Sequence, residues 1–160
     1  MNTYLLIKWV HILSSVLMVG TGFGSAFFMF FTNRSGSLAA QVVVSKLVVR
    51  ADWWFTTPAA ILQPVSGLAL AHMAGWPLNS PWLVSALVLY VVAGACWLPV
   101  VRLQLRMARA AQQALDQGHI KVPAQYEQDA RLWERLGYPA FVAMLVVYFL
   151  MVYKPVLWSA

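Results

Sequence analysis

Four stretches of this chain are long and apolar enough to cross a bilayer, and that limits the fold before any motif is read. A transmembrane helix needs roughly 20 mostly apolar residues at about 1.5 Å rise each. Such runs lie at about 4–31, 53–73, 82–101 and 134–153, the third continuing as a helix to about 109. Of the 160 residues, 61% are hydrophobic and 10% charged, whereas soluble domains average about 45–50% and about 25%. The expected fold is all-α. It is a single domain over residues 1–160, an integral membrane four-helix bundle with helical extensions on its cytoplasmic side. The first run reads as a retained helix, because a secretory signal has a basic start and an apolar core of only about 7–15 residues. Here the apolar run extends from Tyr4 to Phe31 with Lys8 inside it.

Charge sets the orientation. Arg34, Lys46, Arg50, Arg102, Arg106, Arg109, Lys121, Arg131 and Arg135 fall in or beside the two long connections, leaving only Lys8 and Lys154 on the other side. Cytoplasmic loops carry the excess of Lys and Arg, so both termini are expected outside (N-out/C-out), as in a bacterial inner membrane. The net charge of +6 therefore flanks helices instead of forming a nucleic-acid patch. The lone Cys96 excludes an intramolecular disulfide framework and any cysteine-rich metal site.

Ionisable side chains inside membrane segments are expensive and mark functional sites. His11 lies in the first run and His72 near the end of the second. With the first helix running inward and the second outward, both imidazoles are expected at matching depth in the outer half. Lys8 stands one turn outward of His11, and Lys154 closes the last helix on the same side. Two imidazoles from facing helices can ligate a haem iron, and the two lysines would suit its propionates. Two other readings stay open. In the first, His11 serves packing alone and the lysines reach to the headgroups. Alternatively, Met18, Met29 and Met73 with imidazole would suit Cu(I).

On the first helix, His11, Ser15, Met18, Gly22, Ser25 and Met29 alternate by four and three, so they share a face expected to point inward. Gly20 and Gly24 form a GxxxG pair that would let a neighbouring backbone approach closely. A nucleotide-binding reading of these glycines fails, because no strand precedes them. Pro58 and Pro64 should kink or open the second helix, with Thr56, Thr57, Gln63 and Ser66 available to satisfy freed carbonyls. Asp52 and Glu134 sit at the cytoplasmic borders, and no carboxylate lies deeper.

Lys8-x-x-His11, Thr57-Pro58-Ala59 followed by Gly67, and Tyr153-Lys154-Pro155 together resemble the HemJ-type protoporphyrinogen oxidases. The stretches Ala51 to Ala59 and Ala93-Gly94-Ala95-Cys96-Trp97-Leu98-Pro99 are similar to an uncharacterised bacterial family of predicted integral membrane proteins, related to the HemJ-type and CopD-type copper-resistance proteins. The resemblance covers all four helices. It implies haem b at His11, functional roles for Lys8 and Lys154, and redox work passing electrons to an acceptor such as quinone. The chain departs from the HemJ pattern at Gly24-Ser25-Ala26-Phe27-Phe28 and at Trp82-Leu83-Val84-Ser85. The expected function is a haem b-binding inner-membrane redox protein, possible catalyst of porphyrinogen oxidation or electron carrier. Its alternatives are a non-catalytic subunit or assembly factor, docking through the glycine face in a homodimer or membrane complex, and copper handling.

Overall fold

The computed structural model describes residues 2–157. Every regular element is helical: α1 (Thr3–Arg34), α2 (Leu38–Ala51), a π-helical turn (Asp52–Thr56), α3 (Thr57–Met73), α4 (Pro81–Asp116) and α5 (Ala124–Tyr153). Three of these, α1, α4 and α5, are long and apolar enough to cross a membrane. α3 has 17 residues, but α2, the π turn and α3 follow one another without a break, so the second apolar run ends a much longer helical segment than its hydropathy suggests.

Local chemistry explains the element ends. The Asn2 side chain caps α1 by accepting from the Tyr4 N–H, and the Ser37 side chain caps α2 by accepting from Ala40. α3 stops where Gly75 takes a positive φ of 72°, and Trp76 N–H then donates to the Ala71 carbonyl at 2.9 Å. That 6→1 bond is the Schellman closure, which glycine accommodates without a Cβ penalty. The π turn ends two residues before Pro58. Proline has no N–H for the carbonyl four residues back, and its ring clashes with that carbonyl. Widening the helix by one residue relieves the conflict, so the local opening expected near Pro58 takes the form of a π turn.

α1 packs on α3, and α4 packs on α5 along most of its length. α2 lies against α4 and α1 at the end of the molecule that carries most basic residues. Here Met29, Leu38, Val42, Val48, Val100, Leu103, Met107, Ala111, Ala114, Tyr126, Ala130 and Trp133 form one buried cluster. The opposite end has only two small clusters, Ala71–Trp82–Leu83 and Ala86–Val147–Leu150.

Two sequence expectations change and one gains detail. Asp52, expected at a membrane border, is 4% exposed, and its Oδ1 accepts from Thr56 Oγ1 at 2.8 Å. No neighbouring backbone approaches the GxxxG pair, since a Cβ built at Gly20, Gly22 or Gly24 would meet nothing within 4 Å. The inward face of α1 includes Ser14, Met18 and Met29, all buried, whereas Gly22 and Ser25 are only half-buried. Serine 14 takes that place because α1 packs on α3 through hydrogen bonds as well as through apolar contact.

Candidate functional site

His11 is half-buried on α1 and meets α3 where two residues are cut to receive it. Ser66 Oγ lies 2.8 Å from His11 Nδ1. At Gly67, an added Cβ would stand 3.2 Å from His11 Cε1. The absent side chain therefore gives the imidazole its seat, and any larger residue would push the ring away.

The hydrogen bonds around this seat fix the tautomer. Ser66 has one hydroxyl proton, and its Oγ lies 2.6 Å from the Leu62 carbonyl. A carbonyl can only accept, so the hydroxyl proton goes to Leu62 and Ser66 Oγ must accept from His11 Nδ1–H. The neutral imidazole then keeps its free lone pair on Nε2. Orientation of a metal-binding histidine through its other nitrogen is the usual second-sphere arrangement. Gln63 adds a further clamp, donating from Nε2 to the His11 carbonyl at 2.7 Å and to Ser14 Oγ.

The imidazole lines a cavity of about 200 Å³ between the α1–α3 and α4–α5 pairs. Its walls are mainly apolar, with Tyr90, Tyr148 and the thioethers of Met18, Met144 and Met151 among them. Tyr90 is there for a reason that starts in the sequence. Pro64 cannot donate to the Ala60 carbonyl, and Tyr90 OH donates to that carbonyl at 2.6 Å instead. On the other wall Tyr148 OH donates to the Ser15 carbonyl at 3.1 Å, linking α5 to α1. Besides this bond, α1 and α5 meet through the Phe23–Phe141 rings, the Arg34–Glu134 ion pair and the Tyr126–Asn33 hydrogen bond.

The four residues singled out in the sequence do not gather. His72 is exposed and does not line the cavity. It lies six residues beyond Ser66, about 9 Å farther along the axis and about 240° around it. The matching-depth expectation treated the two helices as parallel rods with independent ends. Packing aligns His11 with Ser66 and Gly67 instead. Lys8 is exposed on α1, and neither lysine lines the cavity. Lys154 takes a left-handed backbone conformation at φ 45°, and its Nζ stands over the rings of Trp76 and Trp82 at 4.7 and 5.5 Å. Of the expected copper ligands, Met18 lines the cavity, while Met29 is buried at the basic end and Met73 is exposed.

Other site residues were not legible from spacing. Tyr90, Met144, Tyr148 and Met151 belong to helices whose approach depends on tertiary packing. The one available signal was Pro64, which announces a free carbonyl four residues back but does not name its donor. Among the described residues, no three His, Cys, Asp or Glu side chains cluster as a metal site.

The model of a family described as predicted integral membrane protein (DUF2269) matches residues 5–155. No curated protein and no solved structure matches the chain. The chain belongs to this family of predicted integral membrane proteins.

Proposed function

We propose that this member of the DUF2269 family is a haem b-binding redox protein of the bacterial inner membrane, with His11 as an axial ligand. One observation carries the reading: the Ser66 bond holds His11 as the Nδ1–H tautomer and leaves Nε2 free at a mainly apolar cavity. That is the state in which imidazole binds iron. The resemblance of Lys8-x-x-His11 and Tyr153-Lys154-Pro155 to HemJ-type proteins supports the same assignment. So does the charge bias, which puts His11 in the outer half of a four-span, N-out/C-out bundle.

The donor set fits a haem iron, while the space fits only after a change. Ligand pockets usually measure about 300–1,000 Å³, and this one holds about 200 Å³. A porphyrin would need the α1–α3 and α4–α5 pairs to part, which would strain the Tyr148–Ser15 and Tyr90–Ala60 bonds between them. Bound there, haem supplies a one-electron couple. Gly67 would seat the imidazole, Ser66 and Gln63 would hold its orientation, and the cavity walls would exclude water. Lys8, Lys154 and His72 would then act at the rim, where the lysines can meet propionates and a quinone-like acceptor can approach from the lipid bilayer. Porphyrinogen oxidation and simple electron transfer are the two forms of this redox role.

The small volume favours one second reading. His11 Nε2 with Met18, Met144 and Met151 forms an imidazole–thioether wall that suits Cu(I). A subunit role would instead use the open face at Gly20 and Gly24.

The visible spectrum of detergent-purified protein, produced with ample haem and recorded with and without reductant, tests the main reading. A haem spectrum altered by His11→Ala supports it. Absence of haem with stoichiometric copper that His11→Ala removes would replace it with the second reading. Absence of both would leave the subunit role. An unchanged spectrum in His72→Ala is expected, since His72 does not face the cavity.

A further inference from the structure

A second cavity of about 380 Å³ lies at the basic end, among the close of α1, the start of α2 and the first turns of α5. Arg34, Lys121 and Arg131 line it, with Glu127 and Glu134 opposed. Arg34 and Glu134 neutralise each other through two parallel bonds of 2.8 and 3.0 Å. Among the described residues, Lys121, Glu127 and Arg131 make no ion pair. Two cations and one anion remain, so the cavity keeps a positive charge.

A buried donor points the same way. Asn33 also lines the cavity, and its Oδ1 accepts from Tyr126 OH at 2.7 Å. With Oδ1 on Tyr126, Nδ2 is the carboxamide's other end, and it is buried without a partner. A buried donor left unsatisfied costs about 1–3 kcal/mol, so an acceptor belongs beside it. A net positive charge and an orphaned N–H call for an oxyanion.

The surroundings identify its source. Phe27, Phe31 and Arg34 recur by four and three, so they share one stripe of α1 that ends at the cavity wall. Phe27 and Phe31 are 57% and 56% exposed, and their rings pack at 4.8 Å. An apolar stripe leading into a cationic cavity, on a membrane helix at its basic end, matches an acyl chain joined to an anionic headgroup.

We propose that this cavity binds the phosphate-bearing headgroup of an anionic phospholipid, with an acyl chain lying along Phe27 and Phe31. Asn33 Nδ2, Lys121 and Arg131 supply the headgroup contacts. This site is separate from the His11 cavity and does not depend on what that cavity holds.

Thermal unfolding of the full chain in an uncharged detergent tests it, with phosphatidylglycerol, phosphatidylcholine or inorganic phosphate titrated over the same concentration range. Phosphatidylglycerol should raise the midpoint at the lowest concentration. Lys121→Gln with Arg131→Gln should weaken that response by about fivefold per removed charge. Asn33→Asp keeps the acceptor for Tyr126 and should weaken it as well. Lys46→Gln, outside the cavity and bonded to Gln112, should leave it unchanged. Equal responses to both lipids would overturn the proposal, as would an equal loss in Lys46→Gln, which would indicate diffuse surface charge. Stabilisation by inorganic phosphate as strong as by phosphatidylglycerol would make the site one for a free anion.

Discussion

The two ends of the molecule are built differently. At the basic end, α1, α2, α4 and α5 close around one cluster in which Met107 and Ala111 are fully buried. At the other end the α1–α3 and α4–α5 pairs separate around a cavity, and polar bonds cross it: Tyr148 to the Ser15 carbonyl and Tyr90 to the Ala60 carbonyl. Both ends have four helices, and the difference lies in where the second segment packs. α2 wedges the basic end full, whereas beyond the π turn the same polypeptide continues as α3 against α1 and leaves a gap beside α5. Stability is concentrated where the packing is complete. The end with the gap can hold a ligand because its walls are not each other's best partners.

Core truncation gives the largest expected contrast. Met107→Ala should lower unfolding stability by about 2–5 kcal/mol, measured by denaturation in mixed micelles. Met151→Ala, which enlarges an existing cavity, should cost clearly less. Equal losses would mean that the two ends are packed alike. Next, Tyr90→Phe strips the Ala60 carbonyl of its donor and should cost about 1–3 kcal/mol. Should Tyr90→Phe prove neutral, water must already serve that carbonyl.

Smaller stability effects should separate ligand binding from folding. Ser66→Ala removes the acceptor for His11 Nδ1–H, and an outer-sphere loss of this kind typically weakens metal affinity by about 10–100-fold. Its unfolding midpoint should move little, and a matched fall in both would reduce Ser66 to packing. The smallest effect belongs to Arg34→Gln in lipid-free detergent. Arg34 lies at the surface, where paired charges are screened and contribute little. A large drop in midpoint would show that the basic end relies on its ion pairs as well as its apolar cluster.

Much of the helical content was readable from hydropathy, including the long α4 that continues past Val101 as an arginine-bearing extension. The stretch from Leu38 to Val49 also reads as a helix running on towards the second span. Leu38–Ala51 is helical because its apolar side, with Leu38, Val42 and Val48, is buried against the rest of the basic end. At the site, His11 stood out in the sequence because an imidazole in an apolar run is costly. Gly67 was visible only as part of a family resemblance, and Ser66 only as a possible cap for a freed carbonyl. Their joint use as a seat and a tautomer lock needed the register of α1 on α3.

Composition and charge by themselves determined that this chain is helical and membrane-embedded, because the cost of burying unpaired backbone polar groups in lipid leaves few other choices. They also marked His11 as a residue needing a partner. Only the tertiary structure decided that the partner is Ser66 and not His72, and that Tyr90 serves the carbonyl freed by Pro64. Helix periodicity says which residues share a face. The rotation and sliding of one helix against another, set by side-chain packing along the whole interface, say which residues meet.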